Sequence, residues 1–305
     1  MTVSNTDSVI IPSPLRHGDK IAIVSPAGAA RPKDVYSAVT VLQSLGWEPY
    51  VAEYALGRYG TYSGTDAQRL SDLKEAILDP DTKAIICTRG GYGAVHLLDS
   101  LASLPLRSNA KWIVGFSDIS ALHALMSSHG IASIHGPMAK HISAENGDND
   151  ECRALAALLS GDSIEYNIPA HELNRCGSVT ATLAGGNMAV LTQLIDTPYD
   201  MLRPGTVLLI EDIGEPVYKI ERMLYQLRMN GVLGRLSGLI VGEFTDYKPD
   251  DNYPSMEAMI AEMVKDFDYP VAFGVPVGHG DRNLPLVEGG QVRLSVTPEG
   301  TCIKQ

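Results

Sequence analysis

Ser117 in "GFSDIS", Glu211 in "EDIGEP" and His279 in "GHGDRN" are a hydroxyl, a carboxylate and an imidazole, each following an apolar run. Together the three types make a complete nucleophilic set. A serine needs a base of near-neutral pKa, and a histidine base needs an acid to fix its tautomer and stabilise its imidazolium. Ser117 has two readings. At the head of a helical stretch it is a favoured N-cap, although Ser120 stands where a capping box would carry Glu or Gln. On a strand-to-helix turn eased by Gly115 it is a nucleophile, with the Asp118 amide directed at a developing oxyanion. The stretch is not the hydrolase elbow G-x-S-x-G, because Ile119 occupies the second glycine position.

A fourth polar stretch, "TRGGYG" from Thr88 to Gly93, follows the apolar run "KAIIC". Its amides suit a phosphate or a second oxyanion donor, or its glycines simply permit a turn. It lacks the spacing of the dinucleotide and P-loop fingerprints. Glu211 and His279 also admit plainer readings, as a strand-end acid meeting solvent and as a loop histidine. A metal reading on His279, Asp281, Glu211 and Asp212 has no spaced ligand motif behind it, so no metal and no cofactor is expected.

The elements that must position these groups are legible as alternating strands and helices. "KIAIVSPAG" reads as a strand and turn, and Val35, Val39, Leu42 and Leu45 share a helical face. "EPYVAEY" is a strand, and "TDAQRLSDLKEAILDP" is a helix stopped by Pro80. Then follow "KAIICT", a helix from about Tyr92, "KWIVGF", the helix "DISALHALMSSHG" and "ASIHGP". The pattern predicts an N-terminal α/β domain with a parallel sheet over residues 1–140. Residues 141–175 read as a polar, irregular linker, and residues 176–305 as a second α/β domain. In the latter "TVLLIEDIG", "LSGLIVGEFT", "VAFGVPVGHG" and "VRLSV" are strands, and "VYKIERMLYQLRMNG" and "SMEAMIAEMVKDF" are helices. In open parallel sheets ligands collect beyond the carboxyl ends of the strands, which is where all four polar stretches fall.

Composition narrows the partners. The chain has 305 residues, a net charge of −12 and 45% hydrophobic residues, which argues against nucleic acid or an anionic membrane as partner. No secretory signal and no span-length apolar run is read, so the expectation is a cytoplasmic protein. Cys87, Cys152, Cys176 and Cys302 are scattered without a CxxC pair and read as reduced thiols.

The sequence resembles the LD-carboxypeptidase family of serine peptidases, which also includes the microcin C immunity peptidases. The likeness runs from "GDKIAIVSPAG" to "VPVGHG", with "TRGGYG", "GFSDIS", "IHGP", "AGGN", "EDIGEPVYKIERML" and "GHG" in the expected order. It implies a flavodoxin-like or amidotransferase-like N-terminal domain, a smaller C-terminal α/β domain and an active site between them. It also implies a triad of Ser117, Glu211 and His279, with the amides of Gly91 and Asp118 as oxyanion donors. Lys219 departs from the pattern, since many relatives carry arginine there. The implied activity is release of the terminal D-alanine from the murein tetrapeptide L-Ala-D-Glu-diaminopimelate-D-Ala in cell-wall recycling, by a cytoplasmic homodimer. A carboxypeptidase must hold a terminal carboxylate, for which Arg89 and the helix N-terminus near "AGGN" are the candidates. The resemblance implies that Ser117 both caps its helix and presents its hydroxyl. The alternatives are an immunity-type amidase acting on peptidyl-nucleotide conjugates and a non-catalytic binder of small anions.

Overall fold

The computed structural model describes residues 8–305; residues 1–7, the start of the stretch read for a secretory signal, lie outside the described residues. The first half winds through β1 (Lys20–Val24), α1 (Pro32–Ser44), β2 (Glu48–Val51), α2 (Asp66–Leu78) and β3 (Thr82–Cys87). It continues through the short α3 (Leu98–Ala102), β4 (Trp112–Gly115), α4 (Ser120–Ser128) and β5 (Ser133–His135). Local chemistry sets the ends. Pro32 opens α1 where its missing N–H costs nothing, and Thr65 with Gln68 closes a capping box at α2. The helix expected from Tyr92 starts later, as a 3₁₀ turn at Ala94–Leu97 leading into α3.

Hydrogen bonding orders these strands β2-β1-β3-β4-β5, all parallel, the flavodoxin-like order. The strands read as near-continuous apolar runs because both faces are covered. Ala22, Val24, Ile85 and Cys87 pack towards α2, α3 and α4, whereas Ile21, Ile23, Ala84 and Ile86 pack on the α1 side. Strand order reverses between β1 and β3, and the loops after those two strands form one wall of the cleft described below.

Residues 141–175 hold more regular structure than their polarity suggests. They follow the start of α5 (Ala139–Ser143) and contain α6 (Asp150–Ser160) and β6 (Glu165–Pro169). Asp150 and Arg153 lie on the exposed side of the start of α6, while Glu151, Leu155, Leu158 and Leu159 are buried on its other face. The second half comprises β7 (Gly177–Asn187), α7 (Met188–Gln193), β8 (Val207–Ile213), α8 (Val217–Met229) and β9 (Gly238–Thr245). After these come α9 (Met256–Met263), β10 (Val271–Ala272), β11 (Leu286–Glu288), β12 (Gln291–Thr297) and β13 (Gly300–Lys304). The second sheet runs β10-β9-β8-β7-β12-β13-β6, parallel as far as β7 and antiparallel beyond it.

One crossing joins the two sheets. β11 leaves the second half of the chain and pairs antiparallel with β5, setting Leu286 opposite His135 and Glu288 opposite Ser133. The stretch "VAFGVPVGHG" is accordingly strand only at Val271–Ala272, since Gly274 and Pro276 break it before the crossing. The segment that carries His279 is thus anchored to one sheet at each end. No helix among the described residues is long and apolar enough to cross a membrane.

Candidate active site

β4 ends at Gly115, and Phe116 takes the extended N-cap position of a 3₁₀ turn over Ser117–Ile119. Ser117 adopts φ +65°, left-handed backbone that costs an L-residue about 1–2 kcal/mol. It is therefore not the cap of its helix. Phe116 holds that place for the 3₁₀ turn and Ile119 for α4, and neither end has a side-chain capping bond. The strain leaves Ser117 Oγ exposed to the cleft, as a nucleophile requires. Gly90 permits this. A Cβ there would lie 2.7 Å from Ser117 Cβ and 2.8 Å from its Oγ.

Asp118 is buried, and its Oδ2 accepts the N–H of Ala94 at 2.9 Å, fastening the "TRGGYG" loop to the serine turn. Burial raises the pKa of that carboxyl, against the opposing effect of the Ala94 bond. The backbone N–H groups of Gly91 and Asp118 have no acceptor among the described residues. A developing oxyanion at the Ser117 side would supply one.

Glu211 lies in β8 where the β8–β9 register breaks between Ile210 and Asp212. The irregularity lets both acids be buried at the strand end, Glu211 completely. Glu211 Oε2 accepts from His279 Nδ1 at 2.6 Å, and its Oε1 has no partner among the described residues. Because a carboxylate only accepts, Nδ1 carries the proton and Nε2 keeps its lone pair. Gly278 makes the pairing possible, since at φ +126° a Cβ would fall 2.8 Å from Glu211 Oε2. Its N–H donates to Asn283 Oδ1 at 2.9 Å, which pins the loop from the other side.

Electrostatics separate His279 from its neighbours. Three imidazoles surround the Phe116 ring, with centroids at 5.8 Å for His135, 5.3 Å for His141 and 4.8 Å for His279. Burial pushes His135 well below the ordinary imidazole range and His141 down to about 4, so both stay neutral. Burial also lowers His279, but the Glu211 hydrogen bond and charge outweigh it, helped by Asp212 and Asp246, and its pKa is raised. Burial, reinforced by the Glu211 charge, pushes Asp212 to about 6. Among the described residues no group of three or more His, Cys, Asp or Glu is arranged to hold a metal ion.

Ser117 and His279 face one cleft of about 490 Å³, which Arg31, Arg89, Gly90, Gly91, Lys140 and His141 also line. Ser117 Oγ and His279 are not hydrogen-bonded to one another, and the imidazole is held instead by Glu211. Arg89 lies in the cleft with Nη1 donating to Ala29 O at 3.2 Å. The helix N-terminus after "AGGN" is not available to a carboxylate. Asp212 Oδ2 already takes the Ala189 N–H at 2.9 Å, and Asn187 Oδ1 takes that of Val190 at 3.2 Å. Lys219 pairs with Glu215 at 3.0 Å on the exposed start of α8 and does not line the cleft.

Family models match both halves of the chain. That of the LD-carboxypeptidase N-terminal domain matches residues 21–136, and that of the C-terminal domain matches residues 180–294. The chain belongs to the LD-carboxypeptidase family of serine peptidases. A murein tetrapeptide carboxypeptidase of Pseudomonas aeruginosa is 32% identical to it, over 90% of this chain and 94% of the relative. A putative carboxypeptidase of Synechocystis is 33% identical, over 93% of each chain. The crystal structure of muramoyltetrapeptide carboxypeptidase from Oxalobacter formigenes superposes with a TM-score of 0.85 at 29% identity, covering 93% of this chain and 98% of that one. The fold likeness extends to the microcin C7 self-immunity protein, with a TM-score of 0.81 at 20% identity over 97% of this chain and 98% of that one.

Some groups in the candidate site escape a reading of motifs. Ser120, one helical turn beyond the serine, accepts the Asn187 N–H at 2.9 Å and joins the two halves. Arg282 holds the His279 loop to α6 through Asp150 at 2.8 Å and Glu151 at 3.3 Å. Lys140 and His141 follow closely on β5, so the strand-end rule that found the four polar stretches applies to them as well.

Proposed function

We propose that the chain releases the terminal D-alanine of murein tetrapeptides L-Ala-D-Glu-diaminopimelate-D-Ala, with Ser117 as nucleophile, His279 as base and Glu211 as its acid partner. The observation that carries this reading is the 2.6 Å Glu211–His279 pair, whose imidazole faces the same cleft as the strained Ser117. Ser117 Oγ attacks the diaminopimelate carbonyl carbon while its proton passes to His279 Nε2. The carbonyl oxygen gains charge between the Gly91 and Asp118 N–H groups, and buried Glu211 stabilises the imidazolium. As the C–N bond breaks, His279 returns the proton to the departing D-alanine amine. Water then repeats the sequence on the acyl-enzyme, with the proton passing first to His279 and then to Ser117.

Action in the cytoplasm, in cell-wall recycling and as a homodimer belongs to the same reading, as does a division into residues 1–140, 141–175 and 176–305. The resemblance supports these parts. The deciding experiment incubates the purified protein with the tetrapeptide and follows free D-alanine, with the D-Ala-D-Ala pentapeptide and aspartyl sulfamoyl adenosine in parallel. Release from the tetrapeptide with little cutting of the other two is expected. Preferential cutting of the nucleotide conjugate would replace the murein reading. Failure of a fluorophosphonate to label Ser117, read by mass spectrometry, would count against its assignment as nucleophile.

A further inference from the structure

Ser117 and Gly91 line a second cavity as well, of about 280 Å³, and the two cavities differ in charge. The second is bordered by Asp118, Asp212 and Glu215 and by no Lys, Arg or His. The first holds Arg31, Arg89 and Lys140 against the single acid Asp34. Those three cations are not equally free. Asp34 takes Arg31 at 2.8 Å, and Arg89 donates to the Ala29 carbonyl. Lys140 is exposed and its ammonium makes no ion pair or hydrogen bond among the described residues. Lys140 lines the cleft next to His141, whose pKa burial lowers, with the charge of Lys140 adding to that effect.

A scissile carbonyl held over Ser117 Oγ sends the leaving residue and the acyl portion in different directions. A free carboxylate in the second cavity would meet Asp118, Asp212 and Glu215, the last of them paired with Lys219, and no cation lining the cavity. On the first side it meets cations, two of them, Arg89 and Lys140, without a counter-ion, and of these only Lys140 has no hydrogen bond among the described residues. We propose that Lys140 is the specificity-determining group that reads the terminal carboxylate of the leaving residue, and that the acyl side chain lies towards Asp212 and Glu215. This rests on the carboxypeptidase reading above. It shifts the anchoring role from Arg89 to Lys140, and it gives the substrate a direction across the serine. The diaminopimelate side chain ends in an ammonium beside a carboxylate and has no net charge, so the acidic cavity can pair with its ammonium, whereas it offers the leaving residue's lone carboxylate only repulsion.

The test uses the full chain as wild type, Lys140→Gln, Lys140→Arg and Arg89→Gln. Each is assayed on the tetrapeptide and on the same peptide ending in a carboxamide. In Lys140→Gln, kcat/KM for the free carboxylate should fall about 10- to 100-fold, mainly through KM, because a charge-assisted bond is lost. The carboxamide should be cut as by wild type, so discrimination collapses, and Lys140→Arg should restore much of it. A merely structural role would lower both substrates by one factor, and that outcome overturns the proposal. So does collapse of discrimination in Arg89→Gln with Lys140→Gln unchanged, or a wild type that cuts both peptides equally. A wild type that cuts neither overturns the functional reading, and the Lys140 assignment with it.

Discussion

Glu211→Gln keeps the shape of the buried side chain and removes its charge. His279 is the one hydrogen-bond donor to that carboxylate among the described residues, at 2.6 Å, so the substitution acts almost wholly through the imidazole. A hydrogen bond to a charged group contributes about 1.5–3 kcal/mol, roughly a 10- to 150-fold loss when it weakens in the transition state. A second loss adds to it. An amide that donates to Nδ1 moves the imidazole proton to Nε2, the nitrogen that must receive the serine proton, and a wrong tautomer of this kind costs up to about 10⁴. We expect kcat to fall about 10²- to 10⁴-fold with KM little changed, measured as D-alanine release. The pH profile adds a sharper requirement. In the wild type, burial lowers the His279 pKa, but the hydrogen bond and charge of Glu211 outweigh that and raise it. Only neutral imidazole is a base, so kcat/KM falls as pH drops through that raised pKa. Without the Glu211 charge, burial is opposed only by the weaker Asp212 and Asp246 fields, and the acid limb moves to lower pH. The deficit should therefore be widest on the alkaline plateau and narrow below the wild-type limb. Unchanged kcat, or an acid limb that stays in place, would refute a catalytic pairing of Glu211 with His279.

Ser117→Ala should abolish fluorophosphonate labelling and lower turnover by orders of magnitude, with denaturant stability within about 0.5 kcal/mol of wild type because the methyl stays at the same left-handed backbone. Ser117→Gly should be equally inactive but up to about 1 kcal/mol more stable, since relief of about 1–2 kcal/mol of strain exceeds the added chain entropy; a less stable glycine variant would contradict the strained turn. Gly278→Ala puts a methyl 2.8 Å from Glu211 Oε2 on left-handed backbone, so activity should be lost and stability fall by about 1–3 kcal/mol; a fully active alanine variant would show that the loop yields easily. Exhaustive EDTA treatment should leave activity intact, because the proposed steps draw on no Lewis acid, and loss reversed by added zinc would assign the chemistry to a metal.

The sequence by itself determined the residue types, the alternation of strands and helices and the strand-end address of each chemical group. Those properties reside in local windows, where apolar runs report buried parallel strands and polar breaks report their ends. It also left wrong or unread what no window contains. Ser117 looked like a cap because composition at a helix start is the same whether the turn is ordinary or left-handed, and the left-handed turn fits only because Gly90 lies against it. β7 went unread, since Ser178, Thr180 and Thr182 give it a half-exposed, weakly apolar pattern. The "AGGN" helix start looked open to a substrate carboxylate until the fold brought Asp212 onto its amides. Above all, the tertiary structure decided which groups meet. Glu211 and His279 are 68 residues apart in the chain, and their contact depends on the order β8-β9-β10, the irregularity at Glu211 and the crossing of β11 to β5. Strand order and register are set by the pairing and packing of distant segments, whose energies sum over the whole sheet. The individual tools of the site are therefore local properties of the chain, and their convergence on one cleft is a property only of the fold.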